Sequence, residues 1–324
     1  MITVLVAGGA GYIGSHVCKA LAEAGDRPVC YDTLEKGHDW AVQWGPLERG
    51  DIGDEARLDE VFARHRPSAV IHLAGYIEVG ESVRQPDRYL HNNVAKSHAL
   101  IDAALRHDVG AFVFSSSCAV YGLPQTNLLA ETHPIAPLSP YAESKAQVER
   151  ALGEAAGRGL RSASLRYFNA AGADPGAAIG EAHDPETHLL PLAVDAALDL
   201  GPSLTLLGAD YATPDGSCIR DFVHVSDLAE AHLRALAWLD GRPAGHEAFN
   251  LGSGSGYSVR QVIAETGRVV GRPVPHVVGP RRPGDSPKLV GDIVKARREL
   301  GWSPRRDLVA QIEDTLRWRR KMPR

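Results

Sequence analysis

The 324 residues predict an α/β fold, a doubly wound parallel sheet with a smaller C-terminal α/β domain. Short β-branched runs alternate with longer segments of helical period, the pattern of βαβ units feeding a parallel sheet. A glycine turn, G-x-x-G-x-x-G at Gly8, Gly11 and Gly14, joins the first strand-like run to the first helix-like segment. After Asn169 the pattern loosens into AAGADPGAAIGEAHDPETH, too long for an ordinary connection and so read as a binding loop.

In chain order, strands are expected over 2–7, 28–31, 69–73, 111–115 and 162–166, with helices over 13–24, 54–65, 86–107 and 141–156. Right-handed crossovers turn this alternation into a doubly wound sheet. IRDFVHV (219–225) reads as a strand, 227–239 as a helix, and AFNLGSG (248–254) as part of a return to the first domain. The predicted division is therefore 1–170 with returning segments near 219–254 for one domain, and 171–218 with 255–324 for the other.

Composition narrows the function. Hydrophobic residues make up 44% and charged residues 23%, which excludes a largely disordered chain. The net charge of −5, from 35 basic and 40 acidic residues without long runs of either sign, argues against nucleic-acid or anionic-membrane partners. Cys18, Cys30, Cys118 and Cys218 share no close spacing, so neither a disulfide framework nor a zinc cluster is expected, and a reducing cytoplasm suits them. The start, MITVLVAGGAGYIGSH, lacks a basic leader region and no stretch of 18 apolar residues follows; neither a signal peptide nor a membrane span is expected.

Three constellations carry chemistry. The glycine turn lets a strand end, the backbone bend and a pyrophosphate approach free N–H groups at a helix N-terminus. The alternative is a turn that only allows helix and strand to pack closely. Asp32 stands at the end of the second strand, where an acid accepts bonds from ribose hydroxyls and repels a 2′-phosphate, favouring NAD over NADP. Of nine tyrosines only Tyr141 is followed four residues later by lysine, in SPYAESK. Pro140 suits a first helical turn, and the spacing puts Tyr141 and Lys145 on one helix face, where an ammonium can stabilise a phenolate. In FSSSCAVYG, Ser115, Ser116 and Ser117 follow a strand where such a sheet opens its crevice; each can serve the reacting oxygen or simply form the turn.

Taken with GAGYIGSH, GDI (50–52), HLAG (72–75), VGESV (79–83), NNV (92–94), LRYFNAAGA and RDFVHVSDLA, these motifs resemble the extended short-chain dehydrogenase/reductase family, and within it the epimerases that act on UDP-sugars. The resemblance runs from residue 2 to about residue 318. It implies an NAD-holding Rossmann domain, a UDP-sugar domain and a homodimer. The implied activity is interconversion of UDP-galactose and UDP-glucose through a transient 4-keto sugar, with UDP-GalNAc and UDP-GlcNAc as further substrates and a UDP-pentose as the alternative. Catalytic roles fall on Ser117, Tyr141 and Lys145. Cofactor contacts fall on Gly8, Gly11, Tyr12, Ile13, Gly14, Asp32, Asp51, Ile52, Ala74, Asn92, Tyr141, Lys145 and Tyr167. Substrate contacts fall on Ser117, Tyr141, Phe168, Asn169, His188, Leu189, Thr205, Leu207, Arg220, Arg282, Asp285 and Leu289.

Arg220 and Arg282 suit a diphosphate because a guanidinium offers two parallel hydrogen bonds; the alternative for each is an ion pair with Asp221 or Asp285. Fourteen histidines lie scattered without metal-ligand spacing, His183 and His188 included, so no metal is expected. Two positions depart from the family pattern: Ile77, where many members carry a lysine near the pyrophosphate, and Leu289, where sugar-restrictive members carry tyrosine. A nucleotide-sugar 4,6-dehydratase would need an Asp-Glu pair where this chain has Cys118 and Ala119, and a non-catalytic NAD-binding regulator would not need Tyr141 and Lys145.

Overall fold

The computed structural model describes residues 1–282 and 285–323. The first half runs β1 (Thr3–Ala7), α1 (Tyr12–Glu23), β2 (Arg27–Asp32), β3 (Leu47–Arg49), α2 (Glu55–His65), β4 (Ala69–His72), α3 (Val79–Arg84), α4 (Pro86–Leu90), α5 (Lys96–Arg106), β5 (Ala111–Ser117), α6 (Pro140–Ala155) and β6 (Arg161–Tyr167). The second half adds β7 (Asn169–Ala171), α7 (Leu189–Ala197), β8 (Leu204–Leu207), β9 (Ile219–Arg220), β10 (Phe222–His224), α8 (Val225–Leu239), β11 (Gly245–Leu251), β12 (Tyr257–Ser258), α9 (Val259–Val270), β13 (His276–Gly279), β14 (Lys288–Leu289) and α10 (Leu308–Lys321).

Seven strands form one sheet in the order β11-β6-β5-β4-β1-β2-β3, all parallel. The pleat sends Val4 and Val6 to one face, with Val17, Leu21, Leu228 and Trp302, and Leu5 to the other, with Leu58, Phe62, Leu100 and Leu152. Because helices cover both faces, β1 is apolar along its length instead of alternating, and Val4 to Ala7 are fully buried. The strand order reverses between β1 and β4, so their carboxyl ends open a crevice for a ligand.

AFNLGSG does return to this sheet: β11 pairs with β6 from Gly245↔Arg161 to Leu251↔Tyr167. Two sequence expectations were too simple. The helix expected over 86–107 is interrupted by a π turn at His91–Ala95, between α4 and α5. The strand expected over 219–225 breaks at Asp221, so that β9 joins β12 and β14 while β10 joins β7. Asp221 is fully buried, and its carboxylate accepts from Ser253 N, Ser253 Oγ, Gly254 N and Gly291 N, a demand that straight strand geometry does not meet. Elsewhere α7, α9 and α10 pack through Leu190, Val194, Val262, Leu308 and Ile312.

Candidate active site

At the end of β1, Gly8 turns the chain at φ +82°, and its N–H donates to the Tyr31 carbonyl at 2.9 Å. A Cβ there would stand 2.6 Å from Ala74 N, and one on Gly14 only 2.0 Å from Gly8 O. Helix α1 begins after Gly11 with no side-chain cap, so the N–H groups of Tyr12, Ile13 and Gly14 face the crevice without intrahelical partners. This bare cradle, with its positive helix terminus, fits a diphosphate and hence the expected NAD. The Tyr12 hydroxyl instead donates to the Gly172 carbonyl at 2.6 Å, tying the cradle to the loop beyond β7.

Asp32 ends β2. Its carboxylate accepts from Ala10 N at 3.0 Å and Leu34 N at 2.9 Å; burial pushes its pKa up against the pull of these donors. Asp51 pairs with Lys96 at 2.5 Å beside buried Ile52; burial pushes its carboxyl up, but the hydrogen bonds from Lys96 and Gly53 N and the nearby positive charge together hold it below its ordinary range. Asn92 lies in the π turn. Its neighbour Asn93, absent from the sequence-derived site, accepts from Tyr76 N at 2.9 Å and donates to Tyr76 O at 2.9 Å and Ser144 Oγ at 3.2 Å. One amide thus fastens the loop after β4 to α6. The Tyr167 hydroxyl donates to His232 Nε2 at 2.7 Å, a role inside the protein, while His232 Nδ1 bonds the Leu228 carbonyl.

The reacting groups stand where β5 ends and α6 begins. Ser139 caps α6 by accepting from Ala142 N, Pro140 occupies the first turn, and Tyr141 and Lys145 share a face. Lys145 is 4% exposed, and its ammonium donates to the Ser115 carbonyl at 2.7 Å and lies 5.9 Å from the Tyr141 ring centroid. Its hydrogen bond is therefore to the backbone and not to the phenol. Burial pushes Tyr141 up to about 12, with the Ser117 hydroxyl pulling the other way, and pushes Lys145 down to about 8 against the nearby charge of Glu149. Ser117 Oγ accepts from Ala119 N at 3.2 Å.

Behind them lies a polar network that motif reading missed. Glu149 accepts from Ser116 Oγ at 2.5 Å and from Arg166 Nε and Nη2 at 2.9 and 2.5 Å. Arg166 also donates to the Tyr121 hydroxyl, which donates to Asn250 Oδ1. The one available signal was that Glu149 sits four residues beyond Lys145, on the same buried face of α6.

The opposite wall is assembled from separated segments. Phe168 is buried, and Gly291 must lack a side chain because a Cβ would stand 2.5 Å from the Phe168 ring. Asn169 Nδ2 donates to the Asp221 carbonyl at 2.9 Å. Thr205 and Leu207 are exposed on β8, and Leu189 opens α7. Arg220 meets Asp285 at 3.3 Å and Arg282 meets it at 3.0 Å, so of the ion-pair alternatives the one with Asp285 is present; Arg220 also donates to the Ser286 carbonyl at 2.8 Å. Within RRPGD, Pro283 and Gly284 lie outside the described residues. Leu289 pairs with Arg220 in the β14–β9 ladder and packs against the buried cluster of Cys118, Val120, Tyr121, Leu129, Ala146 and Phe168. Ile77 is 42% exposed, with no lysine at that place. His188 Nδ1 is turned to Glu181 Oε1, in a group with His183 and Glu186 that the sequence spacing did not disclose.

Known proteins match this chain along nearly its whole length. The NAD dependent epimerase/dehydratase family model covers residues 4–252. A UDP-glucose 4-epimerase of Rhizobium leguminosarum bv. trifolii is 50% identical over 320 residues, 98% of each chain. The structure of UDP-glucose 4-epimerase from Brucella ovis in complex with NAD superposes with a TM-score of 0.94 at 45% identity, covering 98% of both chains. That of UDP-glucose-4-epimerase from Stenotrophomonas maltophila, with bound NAD and formylated UDP-arabinopyranose, gives 0.96 at 38% identity and 99% coverage of both. The UDP-Glc/GlcNAc 4-epimerase of Campylobacter jejuni gives 0.86 at 35%, covering 99% of this chain and 100% of that one.

Proposed function

The chain belongs to the NAD dependent epimerase/dehydratase family, and from that premise we propose that it interconverts UDP-galactose and UDP-glucose. The observation that carries this is the gathering of Ser117, Tyr141 and Lys145 where β5 ends and α6 begins, in a sheet whose first strand leads into an uncapped glycine cradle, with Cys118 and Ala119 where a dehydratase needs two carboxyl groups. When bound, NAD supplies the hydride acceptor for C4 and a cationic ring whose charge works in the same direction as Lys145. The cradle of Gly8, Gly11, Tyr12, Ile13 and Gly14 would hold it, with Asp32, Asp51, Ile52, Ala74, Asn92 and Tyr167 along its length.

In this reading Tyr141 is the acid/base group. Its phenolate takes the proton of the sugar 4-hydroxyl, and Ser117 hydrogen-bonds the same oxygen as it becomes a ketone. Lys145, fixed by the Ser115 carbonyl, supplies the positive charge that a buried phenol at about 12 needs if it is to ionise near neutral pH. Once the keto sugar has turned its other face, to which C4 would regain its hydride, Tyr141 gives the proton back to O4, and the isomerisation closes with no net redox change. Arg220 and Arg282 hold the diphosphate, Asp285 the ribose, and Phe168, Asn169, His188, Leu189, Thr205 and Leu207 complete the nucleotide-sugar site. The NAD part comprises 1–170 with 219–254, the UDP-sugar part 171–218 and 255–324. The same reading places the enzyme in the cytoplasm as a homodimer, and extends its range to UDP-GalNAc and UDP-GlcNAc, because Leu289 leaves room where a tyrosine would fill the pocket.

The test is incubation of purified protein with UDP-galactose and no added oxidant, followed by NMR. UDP-glucose should accumulate to equilibrium, and denatured protein should release NAD. Formation of a dehydrated sugar, binding without turnover, or recovery of NADP would overturn the reading.

A further inference from the structure

Residues 181–188 carry side chains that proton transfer at the sugar does not use. Glu181, His183, Glu186 and His188 each present one ligand-type atom, and these atoms all lie within 4.8 Å of one another. Around a tetrahedral zinc ion with bonds of about 2.0–2.2 Å, such atoms stand roughly 3.3 Å apart, so small side-chain rotations would close the shell. Glu181 is 3% exposed, and its Oε1 faces two imidazole nitrogens, His183 Nδ1 at 3.0 Å and His188 Nδ1. Glu186 is fixed by Thr187 N and His188 N, both donating to Oε1. Its other oxygen, Oε2, is buried without a hydrogen-bond partner on a side chain only 10% exposed, while His183 Nδ1 has Glu181 Oε1 as its near polar neighbour. A carboxylate oxygen left unpartnered inside the protein is costly, and a cation shared with the neighbouring imidazoles and Glu181 would satisfy it.

We propose that Glu181, His183, Glu186 and His188 bind one divalent transition-metal ion of the zinc class. Two imidazoles select such an ion over calcium or magnesium, which take oxygen ligands. The segment is already anchored on both sides: Trp318 Nε1 donates to the Glu181 carbonyl at 2.7 Å, and His38 Nε2 meets the Ala182 carbonyl at 2.8 Å. The Tyr12 ring stands edge-on to His183, 6.2 Å between centroids. An ion here would therefore clamp this loop over the mouth of the glycine cradle and slow the escape of what the cradle holds. His188 Nδ1 serves the ion and leaves Nε2 for the sugar nucleotide. Metal binding stands independently of the epimerase reading; only the clamp rests on it.

Protein without an affinity tag is dialysed against a chelator, then titrated with Co²⁺ and, separately, loaded with Zn²⁺, gel-filtered and analysed for metal. The wild type should retain one ion per chain and show the intense visible bands of four-coordinate cobalt. Glu186→Gln, similar in shape, and His183→Gln should lose both, with folding checked by circular dichroism. A wild type that retains no metal, or variants that retain as much, would overturn the site. Bound NAD should leave the zinc-loaded protein more slowly than the metal-free protein; equal release rates overturn the clamp alone.

Discussion

The wall of the cleft made by β1, α1, β5 and α6 presents backbone groups and buried side chains, whereas the wall made by β8, β9, β14 and the segment around Arg282 presents side chains borne on strands of two to four residues. Each position on the first wall is held by several neighbours: Gly14 by Gly8, Lys145 by Ser115, Ser116 by Glu149. On the second, Arg282 is 64% exposed at the side chain and Leu207 39% exposed. On the proposed reading, the chemistry stands on the closely packed wall and the recognition of the sugar nucleotide on the more exposed one.

If the first wall is as closed as this, acid should attack it first. Burial lowers His16 and His232 to about 4 and His72 to about 3, all three in or against the central sheet. Their ordinary value is near 6.5, so below that pH the unfolded chain binds more protons than the folded one. Their stabilisation is complete above about 6.5 and is lost progressively as pH falls from there towards 4. Urea unfolding should show stability falling steeply between pH 7 and 4. A flat profile would mean that these imidazoles are not sealed. Tyr141→Phe keeps the ring and removes the proton carrier, so turnover should fall by roughly 10² to 10⁴ with NAD retained. Turnover within a few-fold of wild type would assign the base elsewhere.

On the second wall the effects should be smaller and separable. Arg220→Ala removes a charge-assisted donor and should raise KM for UDP-galactose by roughly 10- to 100-fold, with kcat less affected. A fall in kcat alone would place Arg220 with the reacting groups. Leu289→Tyr should lower kcat/KM for N-acetylated UDP-sugars relative to UDP-galactose by about tenfold. Equal slowing of all substrates would show that the position does not gate the pocket.

The first wall was legible because its chemistry is local: a glycine spacing, a Tyr-x-x-x-Lys pair and three serines each sit within a few residues. The NAD-binding sheet followed from alternation alone. What stayed hidden depends on contacts across the sequence. Asn93 works through Tyr76 and Ser144, and Glu149 through Arg166, and none of these partners announces the other. The π turn at His91–Ala95 leaves the helical period nearly intact, so it cannot be read from hydrophobic spacing. IRDFVHV has the composition of a single strand, and the break falls at Asp221, whose burial and acceptor bonds that composition does not disclose.

Asp221 has a consequence for how the molecule comes apart. Its four acceptor bonds join the exit of β11 at Ser253 and Gly254 to the exit of β14 at Gly291, and its carbonyl receives both Asn169 N and Nδ2. A fluctuation that frees the outer strands must strip several donors from a desolvated carboxylate at the same moment. Partial opening is thereby penalised, and the amide protons of Ser253 and Gly291 should exchange with solvent as slowly as those of β1, which merges the outer strands and the central sheet into one cooperative unit.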